Sequence, residues 1–319
     1  VEVHFIVNEK AGNGKGKKIW NKLKDQLSVQ YFEHITQFSG HALQLSESIS
    51  NSNLHQSDFA LIVAVGGDGT IHEVLNGIVE KSNIYIGFVK AGSGNDYSRA
   101  YHSFQSAKEI ELFLKTPYGM RMDSGLIQAT LDMNRKFINN AGIGFDGFVS
   151  RNANRSKIKG LLNKFGLGKL SYGFLTITSL FTFKPFNIEV IVDNRRFEYK
   201  KAWFVTVSNQ PYFGGGMKLS PESKPDDGVL EVTIVHNLHH LKLLFLFGTV
   251  FLGTHTKLSE VTQLKGTQIQ VRVEEPQYFH ADGEVLGSTN QNSPITYRIL
   301  KDYWISTDYN RNSTPNLSR

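Results

Sequence analysis

"LIVAVGGDGTIHEVLNGI", residues 61–78, is an apolar run that breaks at Gly66-Gly67-Asp68-Gly69-Thr70 and resumes with helical spacing. Leu61 to Val65 is short, rich in β-branched residues and uninterrupted, as expected of a strand buried on both faces. Thr70 suits a helix N-cap, Glu73 three residues later completes a capping box, and Val74, Leu75 and Ile78 supply the apolar stripe. A helix N-terminus exposes unpaired N–H groups and the positive end of a dipole, and glycines let a ligand approach the main chain. The turn therefore suits phosphate. Asp68 would repel a bare phosphate; it makes sense if it holds Mg²⁺, directly or through water, or orients a reacting phosphoryl group. The plain alternative is a tight turn whose Asp caps its own backbone.

Working outward, the first third alternates strand and helix signals. Strands are expected at Val3–Val7, Phe32–Thr36, Phe59–Val65 and Ile84–Val89, and helices at Gly16–Val29, His41–Ser50 and Thr70–Val79. This order implies a parallel sheet with helices on both faces and ligands beyond the carboxyl ends of its strands. From about Met122 the pattern becomes short alternating segments such as "FNIEVIVD", "GVLEVTIVH" and "TQIQVRV", which suggest an antiparallel sandwich. The expected division is an α/β domain over 1–121 and a β-sandwich domain over 122–299, with about 300–319 packing back on the first.

The chain has 319 residues, 40% hydrophobic and 20% charged, with no cysteine. Disulfides, thiolate metal sites and a cysteine nucleophile are excluded. The start "VEVHFIVNEK" lacks a signal-peptide layout, so a cytoplasmic location is expected. The longest apolar stretch, Leu243–Gly253, is too short to span a bilayer and reads as a buried helix. A formal charge of +6 favours an anionic partner. No RRM, KH or zinc-finger pattern is present, so nucleic acid is not expected. His236, His239 and His240 lack companion ligands for zinc and read as surface or helix-capping residues.

Two more loops end strands in the first half. "NEKAGNGKG", Asn8 to Gly16, could offer N–H groups and lysines to phosphate, although it is not a full P-loop. "KAGSGNDYSRA", Lys90 to Ala100, offers Ser93, Asn95 and Asp96 to ribose or metal-bound water.

With "SNQPYFGGGMKLSPESKPDDGVLEV" and "FHADGEVLG" in the same order and spacing, these motifs resemble the bacterial diacylglycerol kinase-like lipid kinases, relatives of sphingosine and ceramide kinases. The resemblance implies a phosphofructokinase/NAD kinase-like α/β domain, a C-terminal antiparallel β-sandwich and a cleft between them. It implies ATP contacts at Asn8, Glu9, Lys10, Ala11, Gly12, Thr36, Gly66, Gly67, Asp68, Gly69, Thr70, Ile71, His72, Glu73, Ser93, Asn95 and Asp96. It implies Mg²⁺ held by Asp227 and by carbonyls near Lys224 and Val229, with Asp68 and Asp96 joined through water. Catalysis would fall to Asp282 or Glu284 with Asp68, Asp282 being the first choice for general base. Glu9 and Ser93 depart from the family's usual Pro and Thr, and Glu9 sits uneasily beside polyphosphate.

A lipid acceptor requires transient contact with a membrane surface. "RNANRSKIKGLLNKFGLGKLSYGFL" mixes cations with apolar residues and suits an interfacial helix. A homodimer is compatible with the family. The rival readings are an NAD kinase-like small-molecule kinase and a non-catalytic lipid or nucleotide sensor.

Overall fold

The computed structural model describes residues 1–52, 59–79, 83–130, 133–155, 178–291 and 293–307. The first half runs β1 (Glu2–Val7), α1 (Ala11–Lys24), β2 (Phe32–Ile35), α2 (His41–Ser52), β3 (Ala60–Gly66), α3 (Asp68–Gly77), β4 (Ile84–Lys90), α4 (Tyr97–Ala100) and α5 (Ala107–Lys115). The strands are parallel in the order β2-β1-β3-β4. Val7 pairs with Ile35 and Val65, and Gly66 with Lys90, so these strands end together. The loops after them share one sheet edge.

The uninterrupted apolar run of β3 is explained by its two covered faces. Leu61, Val63 and Val65 pack with Phe5, Trp20, Phe104 and Phe113 on one side. Ile62 and Ala64 pack with Val74, Leu75, Tyr97 and Trp304 on the other. Burying each of the Leu, Val and Ile side chains of β3 contributes about 1.5–3 kcal/mol.

The second half continues with β5 (Arg121–Thr130), β6 (Met133–Phe137), β7 (Asn140–Gly144), α6 (Phe145–Arg155), β8 (Phe186–Val192), β9 (Arg195–Ser208), β10 (Tyr212–Phe213), β11 (Met217–Lys218), β12 (Leu230–His236) and α7 (His240–Leu252). It closes with β13 (Val261–Gly266), β14 (Gln268–Val273), β15 (Tyr278–Ala281), β16 (Glu284–Ser288) and β17 (Ile295–Ser306). Their pairing is antiparallel and builds the C-terminal β-sandwich, with Trp203, Val205, Val207, Val232 and Ile234 in its core. β17 joins the halves. It runs antiparallel to β5 and β14, breaks register between Leu300 and Trp304, and then pairs Ile305 and Ser306 in parallel with Tyr85 and Ile86.

Three local expectations are corrected. α3 begins at Asp68 with Gly67 as N-cap, and Thr70 lies inside it. Glu73 does not close a capping box there; its carboxylate accepts from Gly40 N (2.8 Å) and Ala42 N (3.1 Å), so it caps α2. α7 is not a buried helix, since only Leu243, Leu246 and Val250 among its described side chains are enclosed. The basic interfacial segment expected after Arg155 and the tail after Thr307 lie outside the described residues. His239, by contrast, N-caps α7, accepting from Leu241 N at 3.4 Å.

Candidate functional site

The loop edge is closed by side chains and main chain together. Asn8 donates from its amide to Thr70 Oγ1 (3.0 Å), its own N–H donates to Val65 O (2.9 Å), and Ala91 N donates to Gly66 O (2.7 Å). Two contacts leave no room for a side chain. Gly12 has φ +57°, and a Cβ there would meet Ala91 O at 2.3 Å; a Cβ on Gly92 would meet Gly67 Cα at 2.5 Å. Glu9, the residue out of keeping with polyphosphate, pairs with Lys17 at 3.4 Å.

These loops surround a cavity of about 390 Å³. Of the residues expected to hold nucleotide, Asn8, Lys10, Ala11, Gly12, Thr36, Gly67, Gly69, Thr70 and Glu73 line it. Glu9, Gly66, Asp68, Ile71, His72, Ser93, Asn95 and Asp96 do not; Ile71 is buried in the core, and Ser93 is exposed on its loop. Sequence reading missed Gln37, Phe38 and Ser39, which also line the cavity. Phe38 is exposed and stacks on His41 with ring centroids 4.7 Å apart. Its one sequence signal is position, an aromatic residue two places past the expected strand Phe32–Thr36, where a ring can carry a purine base.

Beside the cavity, Asp68 faces the third loop. Its carboxylate accepts from Asn95 N (2.8 Å) and Tyr97 N (3.3 Å). Asp96 accepts from Gly215 N (2.8 Å) in the β10–β11 hairpin and from Arg99 (3.0 Å). Burial, and for Asp68 also the charge of Asp96, pushes both carboxyls above their ordinary range.

A second centre forms one turn along α3. Asp282 is at the tip of the β15–β16 hairpin with φ +47°, followed by Gly283 at +85°, a two-residue Asp-Gly turn. Its carboxylate is fully enclosed. It accepts from the N–H groups of Ile138 (3.0 Å), Asn139 (2.9 Å) and Asn140 (3.0 Å), from Tyr97 OH (2.9 Å) and from His72 Nδ1 (2.8 Å). Burial raises the Asp282 carboxyl, but the bond and charge of His72 and the main-chain donors outweigh it and hold the group below the ordinary range. Burial alone would lower His72; Asp282 and then Glu284 reverse this and raise it, against Arg135. Glu284 is largely exposed, its Oε2 lying 3.8 Å from His72 Nε2.

The 224–229 loop is a third group. Asp227 is exposed and accepts from Val229 N at 3.2 Å. Asp123 accepts from Gly228 N (2.7 Å) and Asp302 N (2.9 Å). The charge of Asp227 reaches both Asp123 and Glu231, and Lys265 pairs with Glu231 at 3.2 Å. Among the described residues no three His, Cys, Asp or Glu side chains are spaced to hold a metal ion. A cation here would rest on the Asp227 carboxylate, main-chain carbonyls of Lys224 and Val229, and water. That oxygen-only set is of the kind that suits hydrated Mg²⁺, with Asp123 and Glu231 near it and the Lys301 ammonium against Gly228. Asp227 thus accepts from Val229 N, and its charge acts on Asp123 and Glu231.

Residues 2–118 match the diacylglycerol kinase catalytic domain, and residues 139–301 match the YegS C-terminal NAD kinase beta sandwich-like domain. A Bacillus subtilis protein named "Putative lipid kinase YtlR" is 33% identical over 308 residues, covering 92% of this chain and 98% of its own length. The diacylglycerol kinase of Bacillus subtilis is 26% identical, covering 85% of this chain and 87% of its own. A crystal structure of a diacylglycerol kinase from Bacillus anthracis covers 98% of both chains with TM-score 0.68 and 20% identity. Yeast NADH kinase covers 100% of this chain and 90% of its own with TM-score 0.54 and 8% identity, a likeness of fold alone. The chain belongs to the diacylglycerol kinase catalytic domain family of lipid kinases, with the YegS-type C-terminal domain.

Proposed function

We propose that the protein is an ATP- and Mg²⁺-dependent kinase that phosphorylates the hydroxyl of diacylglycerol or a lipid of that class, across a cleft between domains at about 1–121 and 122–299. The observation that carries this reading is the double use of α3. Gly69 and Thr70 line the cavity suited to phosphate, while His72, one turn on, meets Asp282 and Glu284. Donor and acceptor chemistry then share one rigid helix.

Phosphoryl transfer needs positioning and charge neutralisation more than covalent catalysis. The Asn8–Gly12 and Gly67–Thr70 main chain would hold the polyphosphate, with Thr36 and Phe38 toward the nucleoside. Mg²⁺, when bound, would neutralise phosphate charge. The acceptor oxygen bonds to the γ-phosphorus, the bond to the β,γ-bridging oxygen breaks, and ADP leaves with that electron pair. The acceptor's proton needs a base. Between the two carboxylates offered by "DGE", we assign this role to Glu284. Asp282 is enclosed and already accepts five hydrogen bonds, which leaves it no reach to a substrate and little basicity. Asp282 instead fixes His72, and His72 orients Glu284. No helix among the described residues is long and apolar enough to cross a membrane. Lipid access would come through transient surface contact, from the cytoplasmic side.

The test uses purified protein, Mg²⁺, γ-labelled ATP and mixed micelles of diacylglycerol, beside Glu284→Gln. Labelled lipid that vanishes with Glu284→Gln is expected. Label on NAD and none on lipid would overturn the reading in favour of a small-molecule kinase.

A further inference from the structure

α7 is apolar on both faces, yet the sandwich covers only one. Leu243, Leu246 and Val250 point inward. Leu241, Leu244, Phe245, Phe251 and Leu252 are 56%, 41%, 78%, 54% and 74% exposed. The spacing i, i+3, i+4, i+10, i+11 puts all five on one side of the helix. Gly248, midway along that side, has open space where a Cβ would stand. Phe181, 60% exposed, stacks near His240 and extends the stripe past the N-terminal end. A contiguous exposed patch of this kind marks an interaction surface.

We propose that this face of α7 is the surface by which the protein docks on a lipid bilayer. The proposal rests on the lipid kinase reading for its partner. Three observations select a bilayer. The first is charge: α7 carries no acidic residue, exposed Lys218 and Lys257 lie at its C-terminal end, and Lys242 on the helix pairs with Glu260. Such a rim suits anionic headgroups around inserted side chains. The second is extent: a helix of 13 residues is about 20 Å long, too short to span a membrane and too narrow to supply the roughly 20–30 residues a stable protein interface uses on each side.

The third is continuity with the candidate site. The turn after α7 holds His255, whose Nε2 donates to Leu219 O (2.9 Å) just past β11, and a Cβ on Gly253 would lie 3.7 Å from Lys218 Cβ. The β10–β11 hairpin reaches Asp96 through Gly215 N and Asn140 through Tyr212 O. Docking by α7 would therefore set the height and tilt of the cleft's acceptor side above the bilayer.

The test reads binding without catalysis. Phe245→Trp is mixed with vesicles of phosphatidylcholine and phosphatidylglycerol; the native Trp20, Trp203 and Trp304 are buried, so the added indole dominates any change. A blue shift and a brighter emission are expected. In flotation with the same vesicles, Leu244→Glu combined with Phe245→Glu should lower the bound fraction at least tenfold while the thermal midpoint is kept. An unshifted emission from the Phe245→Trp protein, or flotation of the double variant equal to that of the unaltered protein, would overturn the proposal. A dimer that the double variant dissolves, with vesicle binding unchanged, would assign the face to a second copy and likewise overturn it. Vesicle binding in a protein that phosphorylates no lipid would refute the kinase reading and leave docking standing.

Discussion

His72 Nδ1 lies 2.8 Å from Asp282 Oδ2, a bond across 210 residues that ties the first helix turn after the glycine loop to the hairpin carrying "DGE". The bond links titration of the site to stability. The folded-state value of His72 is raised above 6.5 by Asp282 and Glu284, against the lowering effect of burial. Its contribution is therefore fully present below pH 6.5 and lost as pH rises through the raised value. Asp282, held below its ordinary range, contributes above that range and loses its contribution only as pH falls through the depressed value. Urea unfolding between pH 5 and 9 should show stability declining on the alkaline side, and His72→Ala should flatten that decline.

The two carboxylates of "DGE" should separate experimentally. Glu284→Gln is expected to lower kcat by about 10² to 10⁴, with KM for ATP and the thermal midpoint kept, because the side chain is largely exposed. Asp282→Asn should cost about 3–5 kcal/mol of stability, because it breaks a buried pair and the acceptor set for three backbone N–H groups. Kinetics beside calorimetry would distinguish the outcomes; an Asp282→Asn protein of full stability but no turnover would argue that Asp282 is the base.

Gly92→Ala should weaken nucleotide binding. The new Cβ would lie 2.5 Å from Gly67 Cα, so the glycine turn after β3 and the loop after β4 must part, at a cost of about 1–3 kcal/mol. Isothermal titration with a non-hydrolysable ATP analogue should report a Kd raised about tenfold or more, a loss of about 1.4 kcal/mol or more.

Glu9→Gln should strengthen ATP binding at low salt and make little difference at high salt. The Glu9–Lys17 pair is solvent-exposed, so losing it costs less than about 1 kcal/mol, while Lys17 is freed to face phosphate. Titration at two ionic strengths checks this.

Local signals in the sequence were enough for the parallel sheet and its loops. β3 and the glycine turn after it were legible because burial on both faces and the need for close main-chain approach leave little choice of residue. The misreadings came from partners distant in sequence. Glu73 has the spacing of a capping box, yet Gly40 and Ala42 approach from another helix and take its carboxylate. "LKLLFLFG" is apolar but for Lys242, and composition cannot say that the sandwich covers only one side of it. The motif favours Asp282 over Glu284 as base, but which of the two faces inward depends on the hairpin, where Asp282 takes a φ of +47°. Phe38 went unnoticed because a lone exposed ring carries no periodic signal.

β17 also bears on the order in which the chain can be built. Tyr303 and Trp304 complete the core beneath α3, and Ile305 and Ser306 cover the open side of β4. During synthesis the ribosome releases β1 to β4 first, so the nascent sheet waits with an unpaired edge and an unfilled aromatic slot until residues 303–306 emerge. A stop codon a few positions earlier would remove little of the sandwich and still leave the nucleotide half sticky and unfinished.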